Sequence, residues 1–72
     1  MNKFEAQLSE IPAHGPRPQH YLMELCVAPD FVWDDLQGGT LQIAGSTPQS
    51  TLALFVWALK RAEWSGVLKV HQ

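Results

Sequence analysis

Of the 72 residues only one, Cys26, is a cysteine, which excludes an intrachain disulfide. Basic residues are scarce as well. Five Lys and Arg face seven Asp and Glu, the formal charge is −2, and only Lys60-Arg61 are adjacent. Direct binding of DNA or RNA needs a cationic footprint that neutralises phosphates, and this chain lacks one. The longest apolar run, Leu52 to Leu59, is far short of the roughly 20 residues that cross a bilayer. Met1 to Glu10 carries two glutamates and no apolar core of the kind a signal peptide needs, so a cytoplasmic protein is expected. His14, His20 and His71 have no metal-ligand spacing, and none has a cysteine two to four residues away. Gly38-Gly39 and Gly45-Ser46 match neither a phosphate loop nor a dinucleotide fingerprint. No metal site and no cofactor is expected.

What is present is apolar: 46% of the residues are hydrophobic, which indicates one compact globular domain over 1–72. A chain this short buries only about 60% of the surface its unfolded form exposes, so its stability margin is thin. Disulfides, metals and partners are the usual supplements. With the first two missing, a partner remains, either identical or foreign.

Along the chain, Asn2-Lys3-Phe4-Glu5 fits a helix-start box, and Phe4, Leu8 and Ile11 follow at helical spacing. Phe4, Ala6 and Leu8 also alternate, so both a short N-terminal helix and a strand fit 2–11. Pro12 ends either. The Pro-rich segment 12–19 contains three prolines and a glycine in PAHGPRP, and it is expected to be an extended, semi-rigid surface connector without regular structure. Period-two alternation then places Tyr21, Met23, Leu25 and Val27 on one face of a strand from His20 to Ala28. Asp30 to Leu36 fits either a helical turn capped by Asp30 or a brief strand. Gly38-Gly39 signals a turn, and Thr40 to Ala44 alternates again with Leu41 and Ile43 inward. Ser46-Thr47-Pro48-Gln49 offers capping hydroxyls, a first-turn proline and a capping-box Gln49. A helix over about 47–65 should follow, with Gly66 as its left-handed stop and a last strand from Val67 to His71. The expected fold is α+β: a single-layer antiparallel or mixed sheet of three to four strands covered by one main helix.

At about 100° per residue, Leu52, Phe55, Val56, Leu59 and Ala62 form one stripe of that helix, which is assigned to the core. Trp57 and Trp64 fall on the opposite side, with Lys60 and Arg61 beside them and Leu54 at the margin. Two readings fit. The N-terminal segment could fold over these rings, or the Lys60 and Arg61 stems could cover them. Alternatively this face is an interface, since tryptophan and arginine dominate binding energy at such surfaces. Trp33, within the acidic loop of Asp30, Asp34 and Asp35, could also point outward. An acidic surface suits a basic partner, including one that normally handles nucleic acid.

Catalytic residue types gather only on His20, Glu24 and Cys26. Along a strand, His20 and Cys26 lie roughly 20 Å apart, so a Cys-His pair would need His71 from a neighbouring strand. Cys26 is therefore expected to be a small buried hydrophobe. Asp34 and Asp35 lack the calcium-loop spacing and fit a solvated acidic or recognition loop.

In size and charge, and in having no catalytic constellation, the chain resembles the small host-takeover inhibitors of phages and other mobile elements, anti-CRISPR proteins among them. That resemblance implies a non-catalytic domain that binds a host protein machine, and the helix and loop patterns nominate Trp57, Trp64, Arg61, Lys60, Trp33, Asp34 and Asp35 as its surface. A second reading is a homo-oligomer sheltering a small ligand at its subunit interface, lined by Trp57, Trp64 and Tyr21. A third is a small enzyme using Cys26 or His20.

The expected core is Tyr21, Met23, Leu25, Val27, Leu41, Ile43, Leu52, Phe55, Val56, Leu59, Leu68 and Val70. Leu59→Ala should accordingly cost about 2–5 kcal/mol, measured by denaturant unfolding. An unchanged midpoint would remove Leu59 from the core.

Overall fold

The computed structural model describes residues 3–36, 40–61 and 67–72. Asn2, the Gly38-Gly39 turn, Ala62, Trp64, the Gly66 stop and the side chain of Asp35 lie outside the described residues. The elements are β1 (Lys3–Ile11), β2 (His20–Val27), α1 (Asp30–Asp35), β3 (Gln42–Gly45), α2 (Pro48–Arg61) and β4 (Val67–His71). The four strands form one mixed sheet in the order β3-β2-β1-β4. β1 pairs antiparallel with β2 and parallel with β4, and β2 pairs antiparallel with β3. The fold is α+β with an open sheet, and α2 packs on its β3 and β2 half.

The N-terminal segment is a strand, which corrects the expected short N-terminal helix. β1 is hydrogen-bonded on both sides, and its alternation puts Phe4 and Ala6 in the core with no exposed surface. Burying a phenylalanine contributes about 1.5–3 kcal/mol. A helix on the sequence's local cap signal would forfeit that burial and two ladders. Phe4 and Ala6 join Met23, Leu25, Val32, Phe55 and Leu59 in the core, with Leu41, Ile43, Leu68 and Val70 packed against it half-buried.

Val27 departs from its expected inward phase. Glu5 pairs with Val27 but Ala6 pairs with Leu25, so Cys26 is the extra residue of a β-bulge. One inserted residue reverses the side-chain alternation beyond it. Val27 therefore stands on the face of Glu5 and is 42% exposed. Cys26 itself is exposed and not the buried hydrophobe expected from its residue type.

The proline-rich segment is exposed and holds no helix or strand, as expected, but one isolated bridge closes a turn within it. Ile11 pairs with His20, and His14 pairs with Arg17 in the same register, with each backbone N–H donating to the other's carbonyl at 3.0 Å. Gly15 has φ +57° and Pro16 follows it, the II′ pattern whose twist suits a hairpin. The chain thus runs out from β1 and back into β2 as a hairpin arm closed by that one bridge. All of 12–19 is exposed, and the molecule measures 40 × 23 × 18 Å. Its radius of gyration, 12.7 Å, exceeds the roughly 11 Å of a compact chain of this length, as a projecting arm requires.

Asp30 to Asp35 forms helix, with Pro29 at the N-cap and no side-chain cap bond. Asp30 is one residue inside, where its charge favours the helix dipole. Its Val32 is buried, and the Trp33 indole N–H donates to the Ala28 carbonyl at 3.1 Å. β3 starts two residues and ends one residue later than expected, although the Leu41 carbonyl still accepts from the Leu25 N–H at 3.0 Å.

The start of α2 is fixed twice. The Thr47 hydroxyl accepts from the Ser50 N–H at 3.0 Å while the Thr47 N–H donates to the Ser50 hydroxyl at 3.2 Å, so the reciprocal box uses Thr47 and Ser50 in place of Gln49. Thr51, fully buried, donates its hydroxyl to the Thr47 carbonyl at 2.6 Å. That hydroxyl occupies the space beside Gly45, where an added Cβ would lie 2.3 Å from it and 3.1 Å from the Thr51 Cα. Only glycine lets the helix approach β3 this closely. Gly45→Ala should destabilise the chain by about 1–3 kcal/mol in chemical denaturation. Pairing it with Thr51→Ala, which removes the clashing hydroxyl, should recover only part of this, because the Thr51 Cα and Cβ would still lie 3.1 Å from the added methyl.

Candidate interaction surface

The outward face of α2 carries Leu54, Trp57 and Arg61 at spacings of three and four residues, with Lys60 alongside. All four are exposed, and Trp57 is 58% exposed. β1 lies in the middle of the sheet beneath α2, so the N-terminal strand does not fold over this ring. What accompanies Trp57 is Arg61, whose guanidinium carbon sits 4.9 Å from the ring centroid in a cation–π contact. Trp64, the expected companion of Trp57, lies outside the described residues.

The other expected surface residues divide. Asp34 is exposed on α1. Trp33 is half-buried, packed against the core and anchored through its N–H, which corrects its placement among outward-pointing tryptophans. Phe31 takes that role, 49% exposed between Asp30 and Asp34. Its neighbours in sequence gave no sign of this, since a six-residue helix has too little periodicity to tell which aromatic turns inward.

A groove that the sequence did not signal opens at the start of α2. Because α2 rests on β3 and β2, the inner faces of β1 and β4 are left partly uncovered near their C-terminal ends. One part, of about 230 Å3, is lined by Leu8, Met23, Pro48, Gln49, Leu52, Val70 and Gln72. A second, of about 250 Å3, adds Glu10 and Tyr21. Leu52 faces this opening and is 37% exposed, which explains its departure from the expected core.

The uncovered sheet face is mixed, with Val27 and Val67 exposed beside cross-strand polar pairs. His71 Nε2 lies 2.8 Å from Glu5 Oε1, and because the carboxylate only accepts, Nε2 carries the proton. Lys3 Nζ is 3.5 Å from the other Glu5 oxygen. Gln42 donates to Glu24 across β2 and β3. This face brings His71 to Glu5 and not to Cys26, whose thiol donates to the Glu24 carbonyl at 3.5 Å. His20 Nδ1 lies 3.1 Å from the Pro18 carbonyl. Among the described residues no three of His, Cys, Asp and Glu are grouped as metal ligands would be. Among them, too, no helix is long and apolar enough to cross a membrane.

Comparison with protein-family models, with curated proteins and with solved structures returned no match.

The hydrogen bond from His71, with the Lys3 charge beside it, holds the Glu5 carboxyl below its usual value. A lowered carboxylate pKa contributes stability that is present above the unfolded value and lost as pH falls through the folded one. Acidification below about 4.5, the ordinary value, should thus weaken the chain, and Glu5→Gln should flatten that part of the profile. Thermal melts across the acidic range test this, and identical slopes for the two chains would refute it.

Proposed function

We propose that the chain is a non-catalytic protein-binding domain and that the outward face of α2 is the surface it binds with. The observation that carries the reading is Trp57, a large ring left exposed on a small domain and overlaid by Arg61. Solvating a tryptophan forgoes the largest apolar burial any side chain offers. Trp and Arg together are also the pair most enriched where binding energy concentrates. Leu54 extends the apolar part and Lys60 the charge, so this face fits a partner presenting an apolar pocket rimmed by carboxylates. A basic partner would instead meet Asp30, Phe31 and Asp34 on α1, a separate and smaller patch. The likeness in size and charge to phage and mobile-element inhibitors is compatible with either and selects neither.

The ligand-sheltering homo-oligomer draws less support. Tyr21 lines the groove beside Pro48, whereas Trp57 stands nine residues farther along α2, about 13 Å in helical rise, on the outward side. One protomer does not gather them into a pocket. A Cys26 or His20 enzyme draws less still, since the nearest partners of both are backbone carbonyls.

Trp57→Ala and Arg61→Glu should each leave the circular-dichroism spectrum and melting temperature of the chain intact. Affinity for a partner captured from the source cell should fall, for Trp57→Ala by about 2 kcal/mol or more. Capture and affinity unaffected by both substitutions would refute the assignment of this face, as would unfolding of the Trp57 variant.

A further inference from the structure

The β1–β2 arm costs conformational entropy to hold straight, yet it covers nothing in its own chain. It is braced by the Gly15-Pro16 turn, by the two backbone bonds between His14 and Arg17, and by Gln19 Nε2 donating to Glu10 Oε1 at 2.7 Å. Strand alternation and the common register place Glu10, Pro12 and His14 on the side of the sheet that carries Phe4 and Leu8. Their cross-strand neighbours Tyr21, Gln19 and Arg17 share that side. Read from base to tip, this face begins with the Glu10 carboxylate and the Tyr21 ring at the mouth of the groove. It ends about 13 Å away, four residues on, with the Arg17 guanidinium and His14. Among the described residues neither Glu10 nor Arg17 has an ion pair within the chain.

A surface negative at one end and positive at the other is complementary to itself when turned end for end. We propose that two copies of this chain associate through a two-fold exchange of these arms. The His14–Arg17 rung of each copy seats in the partner copy's groove of Leu8, Glu10, Tyr21 and Pro48. The two arms then lie antiparallel, Arg17 meets Glu10 of the other copy at both ends, and Pro12 packs near the axis. The Arg17 stem and the Pro16 ring at the turn cover Leu8 and Tyr21, which α2 leaves open. Because the same patch serves both copies, the contact closes at two molecules and does not propagate. A foreign anion at Arg17 would leave Glu10 and the apolar floor unused; a second copy engages all three. This contact does not involve Trp57, so the outward face of α2 remains free in the pair.

Sedimentation velocity of the purified chain over a concentration series tests the exchange. The expected result is a dimer that weakens with added salt. Arg17→Glu and Glu10→Arg should each loosen it at least about ten-fold, whereas the double charge swap restores it. All are exposed positions, and circular dichroism should confirm an unchanged fold; Arg17→Glu leaves the Gln19–Glu10 bond in place if Glu10→Arg alone lowers stability. A wild-type chain monomeric at every concentration would overturn the proposal. So would a dimer indifferent to both reversals, or a double variant that stays monomeric. Trp57→Ala should leave the dimer intact, so a dimer lost on that substitution would place self-association on α2 instead.

Discussion

The contact between Thr51 and Gly45 determines where α2, the longer of the two helices among the described residues, can sit. Thr51 is fully buried, its hydroxyl returned to the Thr47 carbonyl, and its Cα comes as close to Gly45 as a missing side chain permits. This pins the first turn of α2 to β3, at one edge of the sheet. From there Phe55 and Leu59 reach over β2 toward Phe4 and Ala6, but the helix is one cylinder about 10 Å wide and four strands are wider. Coverage of β3 and β2 therefore leaves β4 and the end of β1 partly bare. The groove at Leu8 and Val70 follows from the position of Gly45, and so does the outward aim of Trp57, which lies opposite Phe55 and Leu59 on the helical wheel.

The parts of this arrangement that were legible in the sequence are those in which local pattern and tertiary demand agree. The strand beginning at His20, the helix beginning after Thr47 and the strand from Val67 to His71 each show one clear period and a clear boundary. The outward position of Trp57 follows from the same period. Elsewhere a nonlocal partner overruled the local signal. Asn2 to Glu5 is a good helix start in isolation, but β1 is paired on both sides, and no feature within 2–11 announces those neighbours. The same ignorance hid Phe4 and Ala6 from the expected core. Val27 was misplaced for a different reason: a bulge is a property of two strands together, and the alternation of one strand cannot reveal that Cys26 is unpaired.

The arm shows what proline content does and does not exclude. Three prolines in seven residues argue against a strand because each lacks a donor for the ladder. In a two-stranded arm, however, alternate donors point away from the partner strand and need no ladder bond. With His14 and Arg17 as a hydrogen-bonded pair, Ala13 and Pro18 form the next, non-bonded rung, so the missing N–H of Pro18 interrupts nothing. That position also leaves no donor on the exposed edge to recruit another strand. Pro12, by contrast, falls opposite Gln19 on what would be a bonded rung, and its missing donor marks where the ladder lapses between Ile11 and His14.

These features separate the domain's surfaces by kind. The uncovered sheet face joins polar groups through cross-strand pairs, His71 with Glu5 and Gln42 with Glu24, beside two exposed valines, Val27 and Val67. The helix side is different. There Trp57 and Arg61 stand outward at one end of α2, while the groove and the arm lie at the other, beside Pro48. Nine helical steps from Pro48 to Trp57 keep these regions about 13 Å apart along the axis, too far for one small ligand to bridge and far enough for two macromolecules to bind at once. A small domain with a thin stability margin gains from covering the apolar floor at Leu8 and Val70, where folding alone leaves surface open. It gains nothing for its own fold from Trp57, whose exposure has meaning only through what binds there.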